Sequence, residues 1–137
     1  MTTPQVRDAA TPPVRFVETL GFRTVEASPE RVVIELEIDD RHRSPRGLMH
    51  GGALLALADV AATALAMRSN SAEAGGDGKP MAVIDVHASI LANQPEGQVR
   101  AEARIVRRGR RVTVVRVSVL GADDRLLAEL TSTSVPV

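Results

Sequence analysis

Between Ala53 and Met67 the chain reads ALLALADVAATALAM, nearly all apolar or small, with one carboxylate, Asp59, in the middle. The run is too long for one strand and rich in Ala and Leu, the best helix formers, so it predicts a helix over about residues 51–69. Its apolarity wraps nearly all round, which requires burial on most sides. A single sheet covers only one face. A second layer must cover the rest, and a second copy of the chain is its simplest source, so the pattern predicts a homo-oligomer. The apolar run falls short of the ~20 residues of a membrane span.

The rest of the chain is read against that helix. Residues 1–13 are polar with three prolines and predict a loose arm, leaving 14–137 as one domain. Apolar Val14, Val17 and Leu20 followed by Gly21 predict a short helix over 14–22. Alternation over Ile34–Ile38 predicts a half-buried strand within 24–39, with "ASPE" as a turn before it. Residues 41–47, "RHRSPRG", form a basic loop, and 69–80 a glycine-rich one. Four strands follow, over 81–92, 98–109, 110–121 and 125–135, separated by "NQPEG", "RGRR" and "GADD", which read as short hairpin-type turns. A sheet of five to six antiparallel strands with one long apolar helix is an α+β architecture.

Composition removes several function classes. Two Phe are the only aromatics, which leaves no stacking platform for nucleic acid. Seventeen basic residues balance seventeen acidic ones, so no net field draws the chain to a polyanion. There is no cysteine and only three scattered histidines, so neither a metal site nor a thiol nucleophile is expected. "MTTPQVRDAATPP" has no apolar signal core, and a cytoplasmic location is expected.

The stretch "SPRGLMHGGALLALADVAATALA" resembles the helix signature of phenylacetate-pathway (PaaI-like) acyl-CoA thioesterases of the hotdog fold. In that family a G-x-x-HGG segment opens the helix and an acidic residue follows nine positions after the histidine. Here these are Gly47, His50, Gly51, Gly52 and Asp59. The order of strand, Pro-x-Gly turn, strand, Arg-x-Gly-Arg turn and two closing strands over 80–135 is also similar. The resemblance implies a curved antiparallel sheet wrapped round one central helix. It also implies an acyl-CoA thioester hydrolase working as a homodimer or dimer of dimers, with no cofactor beyond the coenzyme A carried by its substrate. Two positions depart from the pattern. Ser44 stands where the family often has Asn, and Val83 where many members have Ser or Thr, two residues before Asp85. The resemblance places Ser44, Gly52, Val83 and Asp85 at the substrate.

A glycine pair at a helix start exposes backbone N–H groups at the positive end of the helix dipole, with no Cβ in the way. Gly51 and Gly52, with Gly51 leading, are therefore candidate donors to a developing oxyanion, and His50 a residue that caps or orients the turn. The plainer alternative is that these glycines only permit close packing. Asp59 is a candidate general base or nucleophile; otherwise it is a buried carboxylate satisfied by backbone or by a partner subunit. The eight-residue step from Gly51 to Asp59 spans about 12 Å of helix, so Asp59 cannot serve a carbonyl held at Gly51 of its own chain. If both act on one thioester, they come from different subunits. Arg107, Arg108, Arg110 and Arg111 in "RRGRR" are candidates for the coenzyme A phosphates, against the alternative of a solvated turn. Two other functions are kept open: a non-catalytic acyl-CoA-binding module and a dehydratase on the same fold.

Overall fold

The apolar run forms helix α2, Gly51–Ser69, and a six-stranded sheet wraps round it. This computed structural model describes residues 15–137. The arm expected over 1–13, and Val14, lie outside the described residues. A short helix α1 (Arg15–Thr19) leads into β1 (Arg23–Ala27) and β2 (Arg31–Glu37). After α2 come β3 (Met81–Ile90), β4 (Gln98–Arg108), β5 (Thr113–Leu120) and β6 (Leu126–Pro136). Every pairing is antiparallel and the sheet order is β1-β2-β4-β5-β6-β3.

Three boundaries differ from the sequence reading. The segment 24–39 holds two strands, because Ser28 makes the turn: its hydroxyl accepts the N–H groups of Glu30 and Arg31. β5 begins at Thr113, since Gly109 N–H bonds Val112 C=O at 2.8 Å and keeps 110–112 in the turn. The largest difference is at "NQPEG". It is not a hairpin: β3 pairs with β6 at the far edge, and the segment after β3 crosses to β4, which lies beside β2. Its path is fixed by non-local bonds, Leu91 and Ala92 N–H to Leu127 C=O and Ile38 N–H to Gly97 C=O.

One face of α2 meets the sheet. Leu54, Leu57, Ala58, Ala61, Ala62, Leu65 and Ala66 are buried against Val32, Ile34, Val99, Ala101, Val115, Val117 and Leu130. Each fully buried leucine contributes about 1.5–3 kcal/mol. By length and mean hydropathy, 1.4, this helix is also apolar enough to cross a membrane. Its packing on the sheet makes it the core helix instead. The remaining stripe, with Asp59, Val60, Thr63 and Ala64, is only half-covered, and Met67 on it is exposed.

Candidate active site

The start of α2 is held from several directions. Asp39 caps the 3₁₀ turn Asp40–His42. The buried His42 accepts Asp39 N–H on Nδ1 at 3.0 Å, and its Nε2 lies 2.6 Å from Leu20 C=O, so the ring bridges two backbone groups. The His42 carbonyl then accepts His50 N–H at 2.7 Å. One residue earlier, the Asn93 side chain grips the Met49 backbone twice. It accepts Met49 N–H at 3.1 Å and donates to Met49 C=O at 2.8 Å. Asn93 was not among the residues expected at the site. Its signal in the sequence is slight: an amide in a Pro-containing connection, 44 residues from the backbone it holds.

This scaffold settles the fate of the first four helical N–H groups. His50 is the N-cap, and its Nδ1 accepts Gly52 N–H at 3.0 Å. Ala53 and Leu54 both donate to the His50 carbonyl, at 2.9 and 3.3 Å. Of these four, only Gly51 N–H has no acceptor among the described residues. The expected pair of free donors is therefore one donor, because the Gly52 N–H is given to the cap. A Cβ at Gly51 would lie 3.0 Å from Ile90 Cδ1, a close contact that the half-exposed Ile90 side chain can relieve by a small shift.

Asp59 sits two turns further along, on the half-covered stripe. No hydrogen bond or ion pair meets it among the described residues, and partial burial raises its pKa above the usual carboxylate value. It borders a cleft of about 780 Å³ between α2, α1 and the β1–β2 turn, lined by Phe16, Val17, Pro29, Thr63, Ala64, Met67 and Arg68 among others. Thr63, one helical turn after Asp59 in the same cleft, is a second residue the sequence reading passed over.

The other expected residues are dispersed. Ser44 is half-buried in the loop before α2, where its hydroxyl accepts Arg46 N–H at 3.3 Å. Val83 and Asp85 do not share a face. A β-bulge at Ile84 puts Val83 opposite the buried Ser134, on the helix side, and Asp85 opposite Thr133, on the convex side. This removes Asp85 from the α2 side of the sheet. The arginine run is also split. Arg108 donates to Pro29 C=O at 3.2 Å and to Ala74 C=O at 3.5 Å, tying together two segments beside the cleft. It is engaged in the fold. Arg107, Arg110 and Arg111 are exposed and unpaired among the described residues.

The model of the thioesterase superfamily matches residues 46–128, from just before the HGG turn into β6. The chain belongs to the thioesterase superfamily. Among its relatives, ComA2 of Bacillus subtilis is 33% identical over 116 residues, 82% of this chain and 86% of that protein. The 1,4-dihydroxy-2-naphthoyl-CoA hydrolase of Listeria monocytogenes is 27% identical over 110 residues, 80% of this chain and 85% of that one. A mutant form of the phenylacetic acid degradation protein PaaI from Thermus thermophilus superposes with a TM-score of 0.80 at 26% identity, over 90% of this chain and all of that one. The hotdog fold and membership among thioester hydrolases follow.

Proposed function

We propose that this thioester hydrolase cleaves acyl-CoA, with Asp59 of one subunit and the Gly51 N–H of its partner acting on the same thioester. The observation that carries this is the pair of unsatisfied groups on one helix: a free donor at Gly51 and a free carboxylate at Asp59. Eight residues separate them, about 12 Å along the axis, so one chain cannot bring both to one carbonyl. A partner supplies the missing half. The open edge of β3, where Ile84 is 61% and Ile90 48% exposed, supports a second copy pairing there.

Asp59 takes a proton from water as that water attacks the thioester carbon. The carbonyl oxygen gains negative charge and is stabilised by the Gly51 N–H at the positive end of the helix. Collapse of the adduct breaks the C–S bond, and the proton on Asp59 passes to the departing thiolate. A raised Asp59 pKa makes its carboxylate a stronger base. Direct attack by Asp59, through an anhydride, uses the same geometry. Arg107, Arg110 and Arg111 are the exposed cations suited to the coenzyme A phosphates.

Mixed dimers test the cross-subunit site. Chains carrying Asp59→Asn are co-expressed with chains carrying Gly51→Pro, which removes the N–H at a position where helices accept proline. Each parent dimer has two damaged sites; a mixed dimer has one intact site. Activity on CoA thioesters should return to at most about one quarter of wild type under random pairing. Mixed dimers as inactive as both parents would refute the arrangement.

A further inference from the structure

We propose that the cleft beside Asp59 holds the acyl group, and that Arg68 at its far end selects acyl groups ending in a carboxylate. This rests on the thioesterase reading above and adds the class of substrate. Asp59, Val60, Thr63, Ala64, Met67 and Arg68 recur at helical spacing on one stripe of α2 and all line the cleft. Asp59 and Arg68 are nine residues apart, about 13 Å along the helix. A reacting carbon at Asp59 and a charged terminus at Arg68 would therefore mark the two ends of a medium-length chain, with the reach of the arginine shortening the span.

The lining between those ends decides what occupies it. Phe16 and Val17 from α1, with Val60, Ala64 and Met67 from α2, make it mainly apolar. The pantetheine arm of coenzyme A carries two amides. The α2 backbone beneath is already hydrogen-bonded within the helix, so between the two ends only the Thr63 hydroxyl could meet two amides, and their remaining polar groups would lose water without gaining partners. A methylene chain needs none and gains from burial.

The far end has the opposite character. Arg68 is half-buried, and no carboxylate pairs with it among the described residues. Glu73 lines the same cleft but is exposed and forms no ion pair with it. Ser71 adds a hydroxyl: its oxygen accepts Ala74 N–H at 3.3 Å, which leaves its proton free to donate. A guanidinium and a hydroxyl facing one space suit a carboxylate, whereas a methyl end would cover the charge and leave it unpaired.

The test compares two thioesters of equal length, suberyl-CoA with a terminal carboxylate and octanoyl-CoA without one, at low salt. Suberyl-CoA should have the higher kcat/KM by about tenfold, the size expected for one charge-assisted pair at a half-buried site. Arg68→Met should abolish that preference by lowering kcat/KM for suberyl-CoA much more than for octanoyl-CoA, and Arg68→Lys should restore part of it. Octanoyl-CoA preferred by wild type, or a preference unchanged in Arg68→Met, overturns the proposal. An equal rise in KM for both thioesters also overturns it, because Arg68 would then serve the coenzyme A phosphates common to both. Calorimetry with free suberate and free octanoate judges Arg68 independently of turnover. Suberate should bind more tightly to wild type and lose that advantage in Arg68→Met; equal binding refutes the selection. If neither thioester is hydrolysed but suberate still binds through Arg68, it is the thioesterase reading that fails.

Discussion

The first turn of α2 and the stripe two turns later are built on opposite terms. At the first turn nearly every polar group is engaged: His42, Asn93 and His50 each hold a named backbone atom, and one N–H remains over. On the stripe, Asp59 has no partner at all among the described residues and borders an open cleft. The hairpin repeats the contrast, with Arg108 tied to two carbonyls and Arg110 free. Engaged groups fix geometry. Half-buried free ones, Gly51 N–H and Asp59, carry a desolvation cost that a substrate can relieve, whereas Arg110 is free in solvent and carries none; in the proposed mechanism that contrast separates scaffold from chemistry.

The largest test strikes the unpartnered carboxylate. Asp59→Asn keeps shape and removes the base, so kcat for CoA-thioester hydrolysis should fall by at least about 10²-fold. Full turnover in a folded mutant would remove Asp59 from the mechanism. Next comes the scaffold. Asn93→Ala leaves Met49 N–H and C=O without partners, a cost of about 1–3 kcal/mol, and loosens the turn that aims Gly51 N–H. The melting temperature and kcat should both drop, with KM less affected; an unchanged kcat would show that the turn holds without Asn93.

Arg110→Ala should raise KM a fewfold and leave kcat alone, because it removes binding common to ground and transition states. The salt dependence of KM should weaken with it. Equal KM values at low salt would make the hairpin a solvated turn only.

The smallest effect sharpens the comparison through pH. Burial raises the folded-state pKa of Asp59, so its contribution to stability is complete below the unfolded carboxylate pKa and is lost as pH rises through the folded value. Asp59→Asn should therefore melt slightly higher than wild type at neutral pH, with the gap closing below about pH 3, where the carboxyl is neutral in both states. A mutant less stable than wild type at pH 7 would mean that the carboxylate has a favourable partner in the assembled protein.

Much of this was legible in the sequence because it depends on local order. Fifteen residues of Ala- and Leu-rich chain specify a helix whatever surrounds them, and His-Gly-Gly at its start specifies a cap with glycine backbone beyond it. The architecture and a count of five to six strands followed from period and turn residues; that 24–39 holds two strands did not. The fate of single polar atoms did not. That Gly52 N–H is given to His50 while Gly51 N–H stays free is decided by distances of a few tenths of an ångström. That Arg108 is structural, unlike its neighbours, depends on Pro29 and Ala74, 79 and 34 residues away.

The amino-acid sequence by itself determined the core helix, the lone carboxylate on it and the glycine turn that opens it. Helical spacing along that chain also places Asp59 too far from Gly51 for one subunit to use both. Only the tertiary structure decided that β3 leaves its sequence neighbour β4 for β6, and that a bulge at Ile84 sends Val83 and Asp85 to opposite faces. Only it set a cleft between α1 and α2 with Asp59 and Arg68 along one side. Helix formation is governed by residues three and four apart, which a sequence displays directly. Strand pairing and bulges are chosen by hydrogen bonds between segments distant along the chain, and these exist only once the sheet has closed round the helix.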